Sequence, residues 1–328
     1  MTSWFWRFGI TLAFLGFASI LPSTVRAQPP VYLTQWGSYG TGSGQFQFPR
    51  AVAVDAGGNV YVADERNHRI QKFTSGGTHI TQWGTLGTAN GQFQNPFGVA
   101  VDASGNVFVV DQRNCRVQEF TGSGVYVTQW GTPGSGSGQF QNPVGVAVDA
   151  AGNVYVVDTD NYRVQKFTGS GVYITQWGTF GSGNGQFRNP FGVAVDGGGN
   201  VYVADAFNHR IQKFTGSGAY ITQWGTPGSG NGQFNLPTGA AVDASGNVYV
   251  TDNSNHRIQK FTGTGTYLTQ WGTLGSGNGQ FNYPWGVATD AAGNVYVAEY
   301  GNNRIQKFGD TSTPTKATTW GRLKSLYR

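Results

Sequence analysis

One cysteine in 328 residues rules out a disulfide framework. That thiol, Cys115, stands where the equivalent positions elsewhere hold His68, Tyr162, His209, His256 and Asn303, so it reads as a tolerated variant and not as a nucleophile. There is no Gly-x-Ser-x-Gly elbow, no Cys and His pair and no glycine loop opening a helix, which removes the usual signatures of acyl transfer and phosphate cradling. No Asn-x-Ser/Thr acceptor occurs either. Helical repeats are excluded by composition, because 52 glycines alongside abundant Val, Tyr and Thr cost too much helix propensity.

What is present is repetition. Gly-Gln-Phe begins at Gly44, Gly91, Gly138, Gly185, Gly232 and Gly279, a period of 47 residues held without slippage. Within the unit Phe191 to Gly225, β-rich runs of strand length alternate with breaks: Val193 to Val195, Val201 to Val203, Arg210 to Phe214 and Tyr220 to Trp224. The breaks carry turn chemistry. Asp-x-x-Gly-Asn recurs in all six copies, from Asp55 to Asn59 through Asp290 to Asn294, with Asp accepting local backbone bonds and Gly and Asn tolerating positive φ.

Four strands per unit and a period in the forties predict an all-β fold: a six-bladed β-propeller of four-stranded antiparallel blades packed around a channel. Both faces of each blade are then buried, which explains a first strand reading Val-Ala-Val, with Ala53, Ala100, Ala147, Ala194, Ala241 and Ala288 at the crowded centre. The run Asn-His-Arg-Ile-Gln-Lys-Phe at Asn67 to Phe73, Asn208 to Phe214 and Asn255 to Phe261, with Val-Ala-Asp before it in two of the three copies, resembles the signature of NHL repeats. The resemblance covers roughly residues 31–309 and implies a six-bladed NHL propeller, a scaffold that serves binding modules, lyases and hydrolases alike.

Three segments follow from the chain in order. Residues 1–27 read as a signal peptide, with Arg7, an apolar run from Phe8 to Leu21 and Val25-Arg26-Ala27 as a cleavage site. The run is short for a membrane anchor, so a secreted or periplasmic protein without a membrane span is expected. Residues 28–309 are the propeller and 310–328 a short basic tail. Val31 to Gly37 is a fourth-strand sequence that precedes any first strand, and by resemblance to other propellers it should pair beside Arg304 to Phe308 and close the ring. Ala317 to Gly321 is its rival for that place.

The formal charge of +5 resides in the ends, since residues 28–309 hold 15 basic and 15 acidic side chains. Nucleic acid is therefore not an expected partner, for want of a concentrated basic footprint. Asp64, Asp111, Asp158, Asp205, Asp252 and Glu299 each precede by five residues an Arg: Arg69, Arg116, Arg163, Arg210, Arg257 and Arg304. A feature copied into every blade reads as scaffold, although six carboxylates facing a substrate is the competing reading.

NHL-like amidating lyases hold a metal with histidines, so by that resemblance His68, His209 and His256 were candidates. They sit on second turns of blades one, four and five. Blades one and four face each other across the ring, so strand spacing puts those turns about 20 Å apart. Zinc accepts ligands at about 2 Å, and no shared ion, metal site or cofactor is expected.

The unit departs from itself after each proline, at Arg50, Phe97, Val144, Phe191, Thr238 and Trp285. By resemblance to propellers these positions stand at the channel mouth, where aromatics suit a peptide, protein or glycan through stacking. Packing of the channel top is the other reading. Tyr39, Phe180, Tyr283 and Arg188 are variable neighbours. The expectation is an exported, monomeric binding module without catalytic residues; the alternative is a metal-dependent lyase or lactonase-type enzyme using the acidic turns.

Overall fold

The computed structural model describes residues 1–2 and 28–309. The signal, the basic tail and the rival closing strand at Ala317 to Gly321 all fall on residues outside that range. Among the described residues there is no α-helix, and no helix is long and apolar enough to cross a membrane.

Six four-stranded antiparallel sheets form the blades. Blade four runs Pro190–Val195, Val201–Asp205, Arg210–Phe214 and Tyr220–Trp224, each strand pairing with its predecessor. The inner strand thus starts at the proline, three residues earlier than its Val-Ala-Val suggests. The last blade is completed by Val31–Trp36, antiparallel to Arg304–Gly309, so the N-terminal strand closes the ring as expected.

Burial follows from the radial stacking. Every second strand is buried along its whole length, whereas the outer strand Tyr220–Trp224 alternates half-buried and exposed. Apolar clusters lie between blades: Tyr61 and Ile70 of blade one pack with Phe93, Val109 and Phe120 of blade two. The phenylalanine of each Gly-Gln-Phe is wholly buried, Phe46, Phe93, Phe140, Phe187, Phe234 and Phe281 alike. Each stabilises by roughly 1.5–3 kcal/mol on area grounds, so the marker of the period is also a core anchor.

The repeated Asp and Arg pair is a clamp. In blade four, Arg210 Nε donates to Asp205 Oδ2 at 2.7 Å, while its Nη atoms donate to the carbonyls of Ser182, Gly183 and Gln186 at 2.7–2.8 Å. One side chain therefore ties the preceding connector to the sheet. Asp205 also accepts from the Arg188 N–H, Asn208 and Gln212.

Glycine sets the channel bore. Residues Gly98, Gly145, Gly192, Gly239 and Gly286 follow the variable position, and a Cβ on any of them would lie 2.3–2.7 Å from a carbonyl oxygen of the neighbouring blade. Inner strands approach closely only because that atom is missing. The channel they surround encloses about 80 Å³.

Candidate functional site

The connectors and the second turns share one face of the disc, and the channel opens between them. Each second turn is a single 3-10 turn ending in a left-handed residue, His209 at φ 53° in blade four. Histidine there latches consecutive blades: His68 Nδ1 accepts from the Asn95 N–H at 3.2 Å, His209 from Leu236 and His256 from Tyr283. Asn303 does the same for Phe48 across the ring closure. The three histidines therefore serve three separate junctions, as their spacing predicted.

All six post-proline residues line the narrow channel. Val144, Thr238 and Phe97 are buried, and Thr238 Oγ1 donates to the Trp285 carbonyl at 3.0 Å. Trp285 packs on both Phe97 and Phe191 with ring centroids 5.6 Å away. Arg50 is enclosed as well. Its Nε bonds Glu65 at 2.6 Å, and its guanidinium lies 4.1 Å from the ring centroids of Trp285 and Tyr300 and 4.8 Å from that of Phe97. These residues make a floor across the mouth, and about 80 Å³ beneath it is far below the ~300–1,000 Å³ of a small-molecule pocket.

The floor continues outward. Tyr300 stacks on Phe48 at 4.6 Å, Phe48 meets Tyr39 at 6.4 Å, and on the far side Phe191 meets Phe207 at 6.4 Å. Tyr39 is 63% exposed, Phe207 49% and Tyr283 47%. An unbroken row of rings thus crosses the face from the connector before blade one to the second turn of blade four. Of the variable neighbours, Tyr39 belongs to this row, Tyr283 packs on His256, and Phe180 lies against Tyr162 with Arg188 over its ring.

Backbone strain marks the same face. The residue before each proline has positive φ, between 48° and 60°. Blades two, three and four place Asn95, Asn142 and Asn189 there, the side chain best suited to that conformation apart from glycine. Blades one, five and six place Phe48, Leu236 and Tyr283 there instead. An L-residue with an apolar side chain held left-handed costs about 1–2 kcal/mol, so those three do not serve the fold.

Sequence reasoning missed the second residue of each 3-10 turn, which reads Arg66, Arg113, Asp160, Phe207, Ser254 and Gly301. Variation within the repeat, the signal that singled out the post-proline residues, is equally strong there. The acidic turns are closed to ligands: Asp205 is wholly buried and carries four donors, and its counterparts are paired with arginine in every blade. Burial pushes the Asp205 carboxyl above its ordinary range, against the pull of the Arg188 N–H, Asn208 and Arg210. Burial, followed by the nearby Arg66 charge, pulls the His68 imidazole below its usual value.

A closed disc of six four-stranded blades, floored at its mouth by aromatic side chains, is a six-bladed β-propeller. The family model for the NHL repeat matches residues 46–73, 93–120, 140–167, 187–214, 234–261 and 281–308, and the chain belongs to that family. It is 42% identical over 62 residues to the protein brain tumor of Drosophila melanogaster, a stretch covering 18% of this chain and 6% of that one. The chain therefore spans a small part of that relative's length.

Among solved structures it superposes on an auxiliary nutrient binding protein from Bacteroides thetaiotaomicron with TM-score 0.62 and 15% identity, over 85% of this chain and 72% of that one. It also superposes on virginiamycin B lyase from Staphylococcus aureus with TM-score 0.57 and 14% identity, over 81% and 96%. At such identities the likeness is one of fold alone.

Proposed function

We propose that this protein is an exported binding module whose connector face, floored by Trp285, Phe191 and Tyr300, receives a peptide, protein or glycan. The observation that carries the reading is the strain before the prolines. Phe48, Leu236 and Tyr283 occupy a backbone conformation that asparagine fills in the other three blades, and they do so side by side on the aromatic face. Stability is given up where a ligand would gain apolar contact. The nutrient-binding neighbour supports the reading at the level of fold. Export rests on the signal-like residues 1–27 and is checked by the mass of the mature N-terminus, expected at Gln28.

Peptide and glycan arrays probed with wild type and with the triple variant F48N/L236N/Y283N test the binding site. The variant should unfold at a higher temperature, each change stabilising by about 1 kcal/mol, and should lose the ligands that wild type retains. Equal retention by both proteins, or no ligand retained by wild type, refutes the assignment. The lyase or lactonase alternative requires the acidic turns to hold a metal, and their carboxylates are already saturated by donors. A stoichiometric ion in the purified protein, whose removal by chelator abolished a measured activity, would restore that alternative.

A further inference from the structure

The propeller body is neutral in sum and polar in arrangement. Once the six strand-borne carboxylate and arginine pairs are set aside, the remaining charges sort by face. Arg50, Arg66, Arg113 and Arg188, with Glu65 and Asp160, belong to the connector face; the five lysines, with Glu119 and the Asp-x-x-Gly-Asn aspartates, belong to the opposite one. Three of the four arginines come from blades one and two.

Between those blades lies a groove of about 540 Å³, within the ~300–1,000 Å³ of small-molecule sites. Arg66, His68, Gln94, Arg113, Tyr39 and Phe48 line it, and no carboxylate does. Among the described residues Arg113 has no acidic partner. Arg66 reaches only Glu65, at 3.4 Å, and that carboxylate is already engaged by Arg50 at 2.6 Å. Because His68 Nδ1 accepts a backbone N–H, its proton sits on Nε2 and makes the ring a further donor.

We propose that this groove binds an acidic oligosaccharide, with uronate carboxylates on Arg66 and Arg113 and sugar rings against Tyr39 and Phe48. Guanidinium matches carboxylate in a two-point contact, and an aromatic face suits the apolar side of a sugar. A peptide would bring one N–H donor per residue to a lining that is itself mostly donors. A nucleic acid needs a row of phosphate contacts, and two arginines one blade apart supply too few. The proposal rests on the connector face being the binding face and names the ligand class of one part of it.

Calorimetric titration of the whole protein with tetragalacturonate, maltotetraose, a hexaglutamate peptide and an oligouridylate decides among these. Tetragalacturonate should bind, the neutral tetrasaccharide at least about tenfold more weakly, and R66A/R113A should lose about tenfold or more for the uronate. Both arginines are exposed and outside the clamps, so the variant keeps its fold, which its melting temperature verifies. Equal affinity for maltotetraose, tighter binding of hexaglutamate or oligouridylate, or an unaltered R66A/R113A overturns the assignment. The variant L236N/Y283N, whose changes lie outside the groove, separates the two claims: array ligands lost in it while uronate fails to bind refute the groove alone.

Discussion

Blade two lacks a contact that its neighbours make, and restoring it should stabilise the protein measurably. In blades one, three and four a lysine on the face opposite the connectors donates to a carbonyl of the next blade at 2.9–3.1 Å, as Lys72 does to Gly122. Its ammonium lies 4.9 Å from a tyrosine ring whose hydroxyl bonds an aspartate at 2.9–3.0 Å. Blade two has Phe108 for the tyrosine and Glu119 for the lysine, opposite Asp102. Gly169, the corresponding glycine of blade three, has no tyrosine or lysine atom near it.

F108Y/E119K should regain the hydroxyl bond and the lysine bond at about 1 kcal/mol each and the cation and ring contact at about 0.5–1 kcal/mol. Ordering a lysine offsets up to about 2 kcal/mol of this. The net is roughly 1–2 kcal/mol, a rise in melting temperature of about 2–8 °C for a domain of this size.

Burial, then the Asp102 charge, pushes the Glu119 carboxyl above its ordinary value. The folded wild type therefore binds this proton more tightly than the unfolded chain. Its penalty is full at neutral pH and is relieved as pH falls through the folded value toward the usual carboxylate range. The advantage of E119K should accordingly be largest near pH 7 and shrink toward pH 4. Thermal unfolding followed by circular dichroism at several pH values reads both quantities. No stabilisation by the double variant, or an E119K advantage independent of pH, refutes the reasoning.

Other outcomes follow from the same geometry. G192A places a Cβ 2.6 Å from the Thr238 carbonyl oxygen, backbone against backbone, and should cost about 1–3 kcal/mol in denaturant unfolding. D205N removes the charge that Arg210 is buried against and should cost about 3–5 kcal/mol, and faster proteolysis in the connector at Ser182 to Gln186 would report the released clamp. The His68 imidazole should titrate below 6.5 by NMR, and its protonation should break the bond to the Asn95 N–H. Stability tied to that depressed value is present above the unfolded pKa and is lost as pH falls toward the folded one.

The architecture was legible because its causes are local and periodic. Strand length, turn chemistry at Asp-x-x-Gly-Asn and the Gly-Gln-Phe spacing each act within one unit, and six repetitions left a single solution. The clamp was legible as scaffold for the same reason. The mouth was legible in membership and not in shape: Phe97, Phe191 and Trp285 stand where the repeat breaks, but that they meet across the axis depends on the bore. The bore depends on carbonyl contacts at Gly145 and Gly192 between blades 47 residues apart. Arg66 and Arg113 escaped notice because their meaning is collective, emerging only when the turns of two blades are set beside one groove.

The strand that closes the ring is synthesised first and used last. Until Arg304–Gly309 exists, Val31–Trp36 has no partner, and the fifth and sixth blades present bare edges. A ribosome stalled anywhere short of the final unit would hold an incomplete disc able to pair with others of its kind. The finished molecule thus carries in its seam a test of its own completeness, passed only when head and tail have both been made.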